Sequence, residues 1–247
     1  MKSISPKRLS VFFLLLVLFP VSNAVASNQS ISSFSKAKKI LKNQIYTDHR
    51  TTIYCGADFD TYKKVLPLPG FSTTKYKKRS KKIEWEHVVP AENFGRTFQE
   101  WRDGDPQCVD RKGKSFRGRN CARKTNVEFR FMEADLHNLY PAIGAVNASR
   151  SNYNFTMLPD SESTFGSCDM RIADRKAQPP ESARGRIART YLYMDHSYPR
   201  YRMSKQQQKL MTAWDKMYPV SEWECTRAAR IKAIQGDENL FVSEHCR

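Results

Sequence analysis

The residues with the most chemical potential stand side by side in Ile83-Glu84-Trp85-Glu86-His87-Val88-Val89-Pro90. Glu86 offers a carboxylate to a hard cation, and His87 offers an imidazole that is neutral near pH 7 and can take a proton from water. Successive side chains of a strand point to opposite faces. Both groups therefore reach one site only if the strand ends or bends here, and Pro90 is placed to break it. A half-buried strand end with an incidental histidine would show the same pair, so the rest of the chain has to supply the support. Glu84 and Trp85 read as scaffold.

Support comes from both sides. Upstream runs Lys75-Tyr76-Lys77-Lys78-Arg79-Ser80-Lys81-Lys82, and Lys77, Lys78, Arg79, Lys81 and Lys82 would bring cations to phosphates beside Glu86 and His87. Downstream, Asn147 in the polar segment Gly144 to Asn152 offers an amide oxygen. Magnesium needs few protein oxygens when water and a substrate phosphate complete its shell, so Glu86 and Asn147 suffice; manganese or calcium can occupy the same donors. Such an ion neutralises a phosphodiester while His87 activates water. Zinc proteolysis would want H-E-x-x-H, and the order here is Glu-His. A metal-free alternative pairs His87 with His137 as base and acid on RNA, the substrate's own 2′-hydroxyl being the nucleophile. Asn147-Ala148-Ser149 is also a glycosylation sequon, and a glycan there would exclude Asn147 from a buried site.

The whole chain has 247 residues and a formal net charge of +17. That charge implies an anionic partner such as nucleic acid, an anionic membrane or an acidic polysaccharide; without a basic amphipathic helix of the membrane-surface type, nucleic acid leads. A non-catalytic, basic, exported nucleic-acid-binding protein fits the charge equally well. Lys2, Lys7 and Arg8, the apolar run Val11 to Phe19, and small residues ahead of Ala24 and Ala26 read as an export signal over residues 1–26, cleaved after Ala24 or Ala26. No later stretch is apolar enough to span a bilayer, so the cleaved chain carries no anchor and acts in the periplasm or outside the cell. Its six cysteines, Cys55, Cys108, Cys121, Cys168, Cys225 and Cys246, then read as three disulfides. A Cys108–Cys121 bridge would fix the basic loop Arg111 to Lys124.

The elements that must position these groups are mixed. A helix is predicted over Lys36 to Tyr46, capped by Ser35, and a strand over Thr51 to Cys55. Pro67-Leu68-Pro69-Gly70 marks a hairpin-like excursion, and Asp103-Gly104-Asp105 a turn lacking the later ligands of a calcium loop. A helix is predicted from Glu128 to Asn138, stopped by Pro141. Pro179-Pro180-Glu181 opens another, with Ile187, Tyr191 and Met194 as its core stripe. Ser204-x-x-Gln207 and Ser221-x-x-Glu224 cap two more, the second ending before Gly236, with Trp214 and Trp223 packing this lobe. The fold class is α+β: one compact unit, residues 27–247, with a helical C-terminal lobe.

The motifs resemble the endonuclease I family of exported bacterial nucleases. Trp85-Glu86-His87-Val88-Val89-Pro90-Ala91 is followed by Met132-Glu133-Ala134-Asp135-Leu136-His137-Asn138-Leu139, Gly144-x-Val146-Asn147, Ala188-Arg189-Thr190-Tyr191, Trp214-x-Lys216-Met217-Tyr218-Pro219-Val220 and Trp223-Glu224-Cys225. These run in order across nearly the whole mature chain. The resemblance implies a ββα-metal core of the His-Me finger type and magnesium-dependent, sequence-non-specific cleavage of DNA, and usually RNA, to 5′-phosphate products. It implies magnesium on Glu86 and Asn147, His87 as general base, Glu133 near the site, and an arginine shortly before Cys121 on the cleaved phosphate. The loop before Cys121 is longer than in relatives, so Arg117 and Arg119 are both candidates. Relatives often carry cysteines where Ala57 stands and near Pro69-Gly70; both are absent here, as if one whole disulfide were lost. A monomer is expected.

Overall fold

The computed structural model describes residues 27–246; the predicted export signal lies outside them. The centre of the molecule is a short antiparallel ribbon of β1 (Ile83–His87) and β2 (Leu139–Ile143), followed at once by helix α6 (Gly144–Arg150). Glu86 faces Tyr140 and His87 faces Leu139 in the register. A two-stranded ribbon is marginal on its own, and here apolar packing from two sides supports it. Ile83, Trp85 and Leu139 join one cluster with Ile40, Leu41 and Ile231. Tyr140, Ala142 and Ile143 join a larger one with Ile187, Tyr191, Met211 and Trp214.

Ahead of the ribbon, α1 (Phe34–Ile40) continues as a π-helical turn, Leu41–Ile45. Its cap is Ser33, whose side chain accepts from the Lys36 amide, rather than Ser35. Thr51 to Cys55 is not a strand. Thr51 makes one isolated bridge to Asp58, the Thr52 amide turns back to the Ala57 carbonyl, and the Ile53 amide reaches the Pro141 carbonyl. Between the two strands lie α2 (Ala91–Gly95), α3 (Gln99–Arg102), α4 (Arg119–Thr125) and α5 (Val127–Glu133).

The predicted helix over Glu128 to Asn138 is shorter and differently divided. α5 is capped by Asn126 and ends at Glu133; a 3-10 turn, Leu136–Asn138, then leads into β2. Pro141 does not stop a helix but sits inside β2, opposite Trp85. Proline is tolerated there because its carbonyl points off the ribbon towards the Ile53 amide, 2.8 Å away. Its missing N–H lies on the same outer side, so no ladder bond is lost.

A small sheet, β3 (Asn154–Phe155), β4 (Arg171–Ala173) and β5 (Lys176–Gln178), precedes the helical lobe of α7 (Glu181–Ser197), α8 (Lys205–Met217), α9 (Glu222–Gln235) and α10 (Leu240–Ser243). Ser204 caps α8, Ser221 and Glu224 form the capping box of α9, and Gly236 ends α9 at φ 94°. Trp214 is buried and Trp223 stacks on His49, 4.2 Å between centroids. Disulfides join Cys55 to Cys168, Cys108 to Cys121 and Cys225 to Cys246, and no cysteine is free. Among the described residues no helix is long and apolar enough to cross a membrane.

Candidate active site

Side chains two apart on β1 meet side chains three apart on α6. Glu84 and Glu86 share one face of the strand, and Asn147 and Arg150 share one face of the helix. Asn147 Nδ2 donates to Glu84 Oε2 at 2.8 Å, and Arg150 Nη1 donates to Glu86 Oε1 at 2.7 Å. Gly144, the first residue of α6, permits this approach. A Cβ there would fall 2.6 Å from the Arg79 carbonyl oxygen and 2.9 Å from Glu84 Oε1.

Arg150 also settles how neighbouring strand residues reach one place. Its fully buried guanidinium takes the His87 carbonyl at 2.8 Å and the Val88 carbonyl at 2.6 Å. Consecutive carbonyls of an extended strand point opposite ways, so the chain is turned out of the strand at this point, before Pro90 caps α2. Glu86 and His87 then line the same cleft, of about 470 Å3, with Phe34, Glu84, Arg119 and Asn147.

The buried Glu86 carboxylate is anchored on one side only. Oε1 accepts from Arg150 and from Tyr54 Oη at 2.8 Å, while Oε2 has no protein partner among the described residues. Burial pushes its pKa up, opposed by Arg150 and Tyr54. His87 Nε2 lies 2.8 Å from the Glu133 carbonyl oxygen. A carbonyl only accepts, so Nε2 carries the hydrogen and Nδ1 keeps its lone pair. Burial, reinforced by the Arg119 charge, lowers the His87 pKa to about 3, so the ring is neutral. Phe34 packs on it at 4.9 Å between ring centroids.

The buried Glu133 side chain faces arginines rather than the cleft. Arg119 Nε donates to its Oε1 at 2.5 Å, and Arg123 Nε to its Oε2 at 2.7 Å. Burial would raise this carboxyl, but the two guanidiniums outweigh it and hold its pKa below the usual value. Arg119 Nη2 is buried with no hydrogen-bond partner among the described residues, on a residue lining the cleft. The Cys108–Cys121 disulfide holds α4, which begins at Arg119.

The oxygen donors suit a hard cation. Asn147 spends its NH2 on Glu84, and among the described residues its Oδ1, like Glu86 Oε2, has no protein partner. No three His, Cys, Asp or Glu side chains converge among the described residues. A cation here would draw on few protein oxygens, with water and substrate completing its shell.

The sequence matches the family model described as Endonuclease I over residues 32–246. The chain belongs to the endonuclease I family. It is 40% identical over 232 residues to an extracellular deoxyribonuclease of Aeromonas hydrophila, covering 91% of this chain and 94% of that one. It is 38% identical over 226 residues to a periplasmic deoxyribonuclease of the same organism, covering 89% of each chain. It is 37% identical over 226 residues to the Endonuclease-1 of Buchnera aphidicola subsp. Acyrthosiphon pisum, covering 88% and 83% respectively. The protein is an exported enzyme, in keeping with its three disulfides.

Of the residues singled out in its sequence, the cleft gathers Glu86, His87, Asn147, Arg119 and Arg79. Arg117 lies elsewhere, reaching the Arg102 carbonyl at 3.2 Å. Lys77, Lys78, Lys81 and Lys82 are exposed and do not line the cleft. His137 is buried against Tyr193, 4.6 Å between centroids, and does not line the cleft. The geometry therefore does not pair it with His87. Four contributors escaped the sequence reading: Glu84, Arg150, Phe34 and Arg123. Spacing held a signal for two, since Glu84 repeats Glu86 at the strand period and Arg150 follows Asn147 by one helical turn.

Proposed function

We propose that this endonuclease I hydrolyses the phosphodiester backbone of DNA, and of RNA as a second substrate, with magnesium bound at Glu86 Oε2 and Asn147 Oδ1. The observation that carries the reading is that three unpartnered atoms, His87 Nδ1, Glu86 Oε2 and Asn147 Oδ1, belong to residues lining one cleft. The two Aeromonas relatives are named as deoxyribonucleases. The bound ion supplies charge neutralisation at the phosphate and the leaving oxygen; manganese or calcium fits the same donors.

His87 Nδ1 takes a proton from the attacking water as its oxygen bonds to phosphorus. The Arg119 guanidinium, held in place by Glu133, donates to a non-bridging oxygen. The P–O3′ bond breaks, giving a 5′-phosphate and a 3′-hydroxyl. Specificity for sequence is low because lysines and arginines contact phosphates without reading bases. Asn147 serves the ion only without a glycan, since its Nδ2 lies against Glu84 in the cleft and a sugar there would occupy the space the ion and phosphate need. Residues 1–26 are removed on export, after Ala24 or Ala26, and the enzyme acts as a monomer.

Nicking of a supercoiled plasmid by the oxidised, signal-free protein tests this, with magnesium and with excess EDTA. Cleavage that stops in EDTA and leaves 5′-phosphate ends is expected. Cleavage that persists, or binding without cleavage at any metal concentration, contradicts it.

A further inference from the structure

A second cavity, of about 310 Å3, opens beside the first, at the lower end of the range for small-molecule sites. The two are joined at two points. Ser151 lines both. Arg79 of the first cavity also lies over the ring of Tyr76 of the second, 5.6 Å from its centroid. The second cavity therefore borders the cleft that gathers Glu86, His87 and Asn147.

The lining is of mixed character. Tyr76 is 50% exposed, and Tyr153 and Ile172 are half-buried. Thr74, Ser149 and Lys75 add hydroxyls and a cation. Tyr76 and Ser151 are also two of the few non-glycine residues at positive φ, 55° and 53°. Such conformations cost free energy and gather where the surrounding structure has a use for them. Here Ser151 lines both cavities and Tyr76 lines the second.

We propose that this second cavity is a nucleotide subsite that takes an unpaired base next to the phosphate undergoing cleavage, stacked on Tyr76, with the hydroxyls of Thr74 and Ser149 on its edges and Lys75 on the next phosphate. The proposal rests on the nuclease reading above. Aromatic rings interleaved with cations bind unpaired bases irrespective of sequence. A base inside a duplex keeps its stacking partners and does not enter. The subsite therefore favours frayed, nicked or single-stranded DNA over intact duplex at low substrate concentration.

The test is steady-state cleavage of a thymidylate pentanucleotide and of a long duplex by the oxidised enzyme in magnesium, comparing wild type with three variants. Tyr76→Asn removes the ring while tolerating positive φ. It should raise KM for the pentanucleotide by about tenfold, the loss of one base stack, and leave kcat and duplex cleavage within about twofold. Tyr76→Phe should stay near wild type. Thr74→Trp, which fills the cavity but keeps Tyr76, should raise the same KM. An unchanged pentanucleotide KM in both Tyr76→Asn and Thr74→Trp, or an equal rise for both substrates, overturns the subsite. A wild-type protein that cleaves neither substrate overturns the nuclease reading on which it rests.

Discussion

Asn147 Nδ2 donates to Glu84 Oε2 at 2.8 Å, and Glu84 in turn holds Arg79 through both carboxylate oxygens, at 2.7 and 2.5 Å. Glu84 thereby fixes which way the Asn147 amide faces and turns its oxygen away from the carboxylate. Replacing Glu84 by Ala frees the amide to rotate and leaves Arg79 unpaired. Manganese affinity, read by calorimetry on the signal-free protein, should fall by about 10- to 100-fold, the usual effect of removing a ligand's supporting partner. Unaltered affinity would show that Glu84 does not orient the site.

The two arginine candidates before Cys121 should separate cleanly. Arg119 lines the cleft with a buried, unpartnered Nη2, whereas Arg117 lies against the Arg102 carbonyl. Arg119→Ala should lower kcat on duplex DNA by about 100-fold, as when one donor to a developing oxyanion is lost. Arg117→Ala should stay within about twofold of wild type. Equal effects in the two variants would remove the distinction.

Arg150 is a structural partner of the site. Its side chain is fully buried, paired with Glu86 and two backbone carbonyls, and stacked over Phe155 at 4.4 Å. Removing one member of a buried ion pair leaves the other uncompensated. Arg150→Ala should therefore cost about 3–5 kcal/mol in denaturant unfolding. A loss below about 1 kcal/mol would place the pair among exposed bridges of little consequence.

The helical lobe carries a buried proton. Tyr193 Oη is in hydrogen-bond contact with carboxyl oxygens of both Asp135 and Asp237. One hydroxyl proton cannot serve both, so one carboxyl must be protonated. Asp135 also accepts from Tyr198, Gln235 and the His137 amide, so the two carboxyls hold this proton between them. Burial and the mutual repulsion of the pair raise Asp135 to about 7, and burial raises Asp237. The folded pair binds this proton more tightly than the unfolded chain does. Its stabilisation is complete below the ordinary carboxylate range and is lost as pH rises through the raised value. The melting temperature should fall between about pH 4 and pH 7 in the wild type, level off above that, and fall less in Asp237→Asn, whose amide donates permanently. Parallel curves for the two proteins would contradict the shared proton.

The sequence was most informative where a local rule decides the outcome. Ser204, Ser221 and Gly236 marked the ends of their helices because capping depends on a few adjacent residues. Glu86, His87 and Asn147 were legible as residue types matched to a chemistry. What escaped depends on pairing between distant segments. Glu84 became part of the site, not scaffold, only once β1 and α6 were in register. Pro141 fell inside a strand because Ile53, not β1, takes its carbonyl. Thr51 to Cys55 has strand-forming residues but lacks a partner strand along its length, so tertiary context overrode its propensity.

The proposed base is His87 Nδ1. Its most direct test is single-turnover cleavage of duplex DNA by His87→Ala in magnesium, with DNA affinity measured in parallel. Cleavage should fall by about 100- to 10,000-fold, the usual contribution of a general base, while affinity stays within about twofold, since phosphate contacts come from other residues. Turnover close to wild type in the folded, DNA-binding variant would contradict the account.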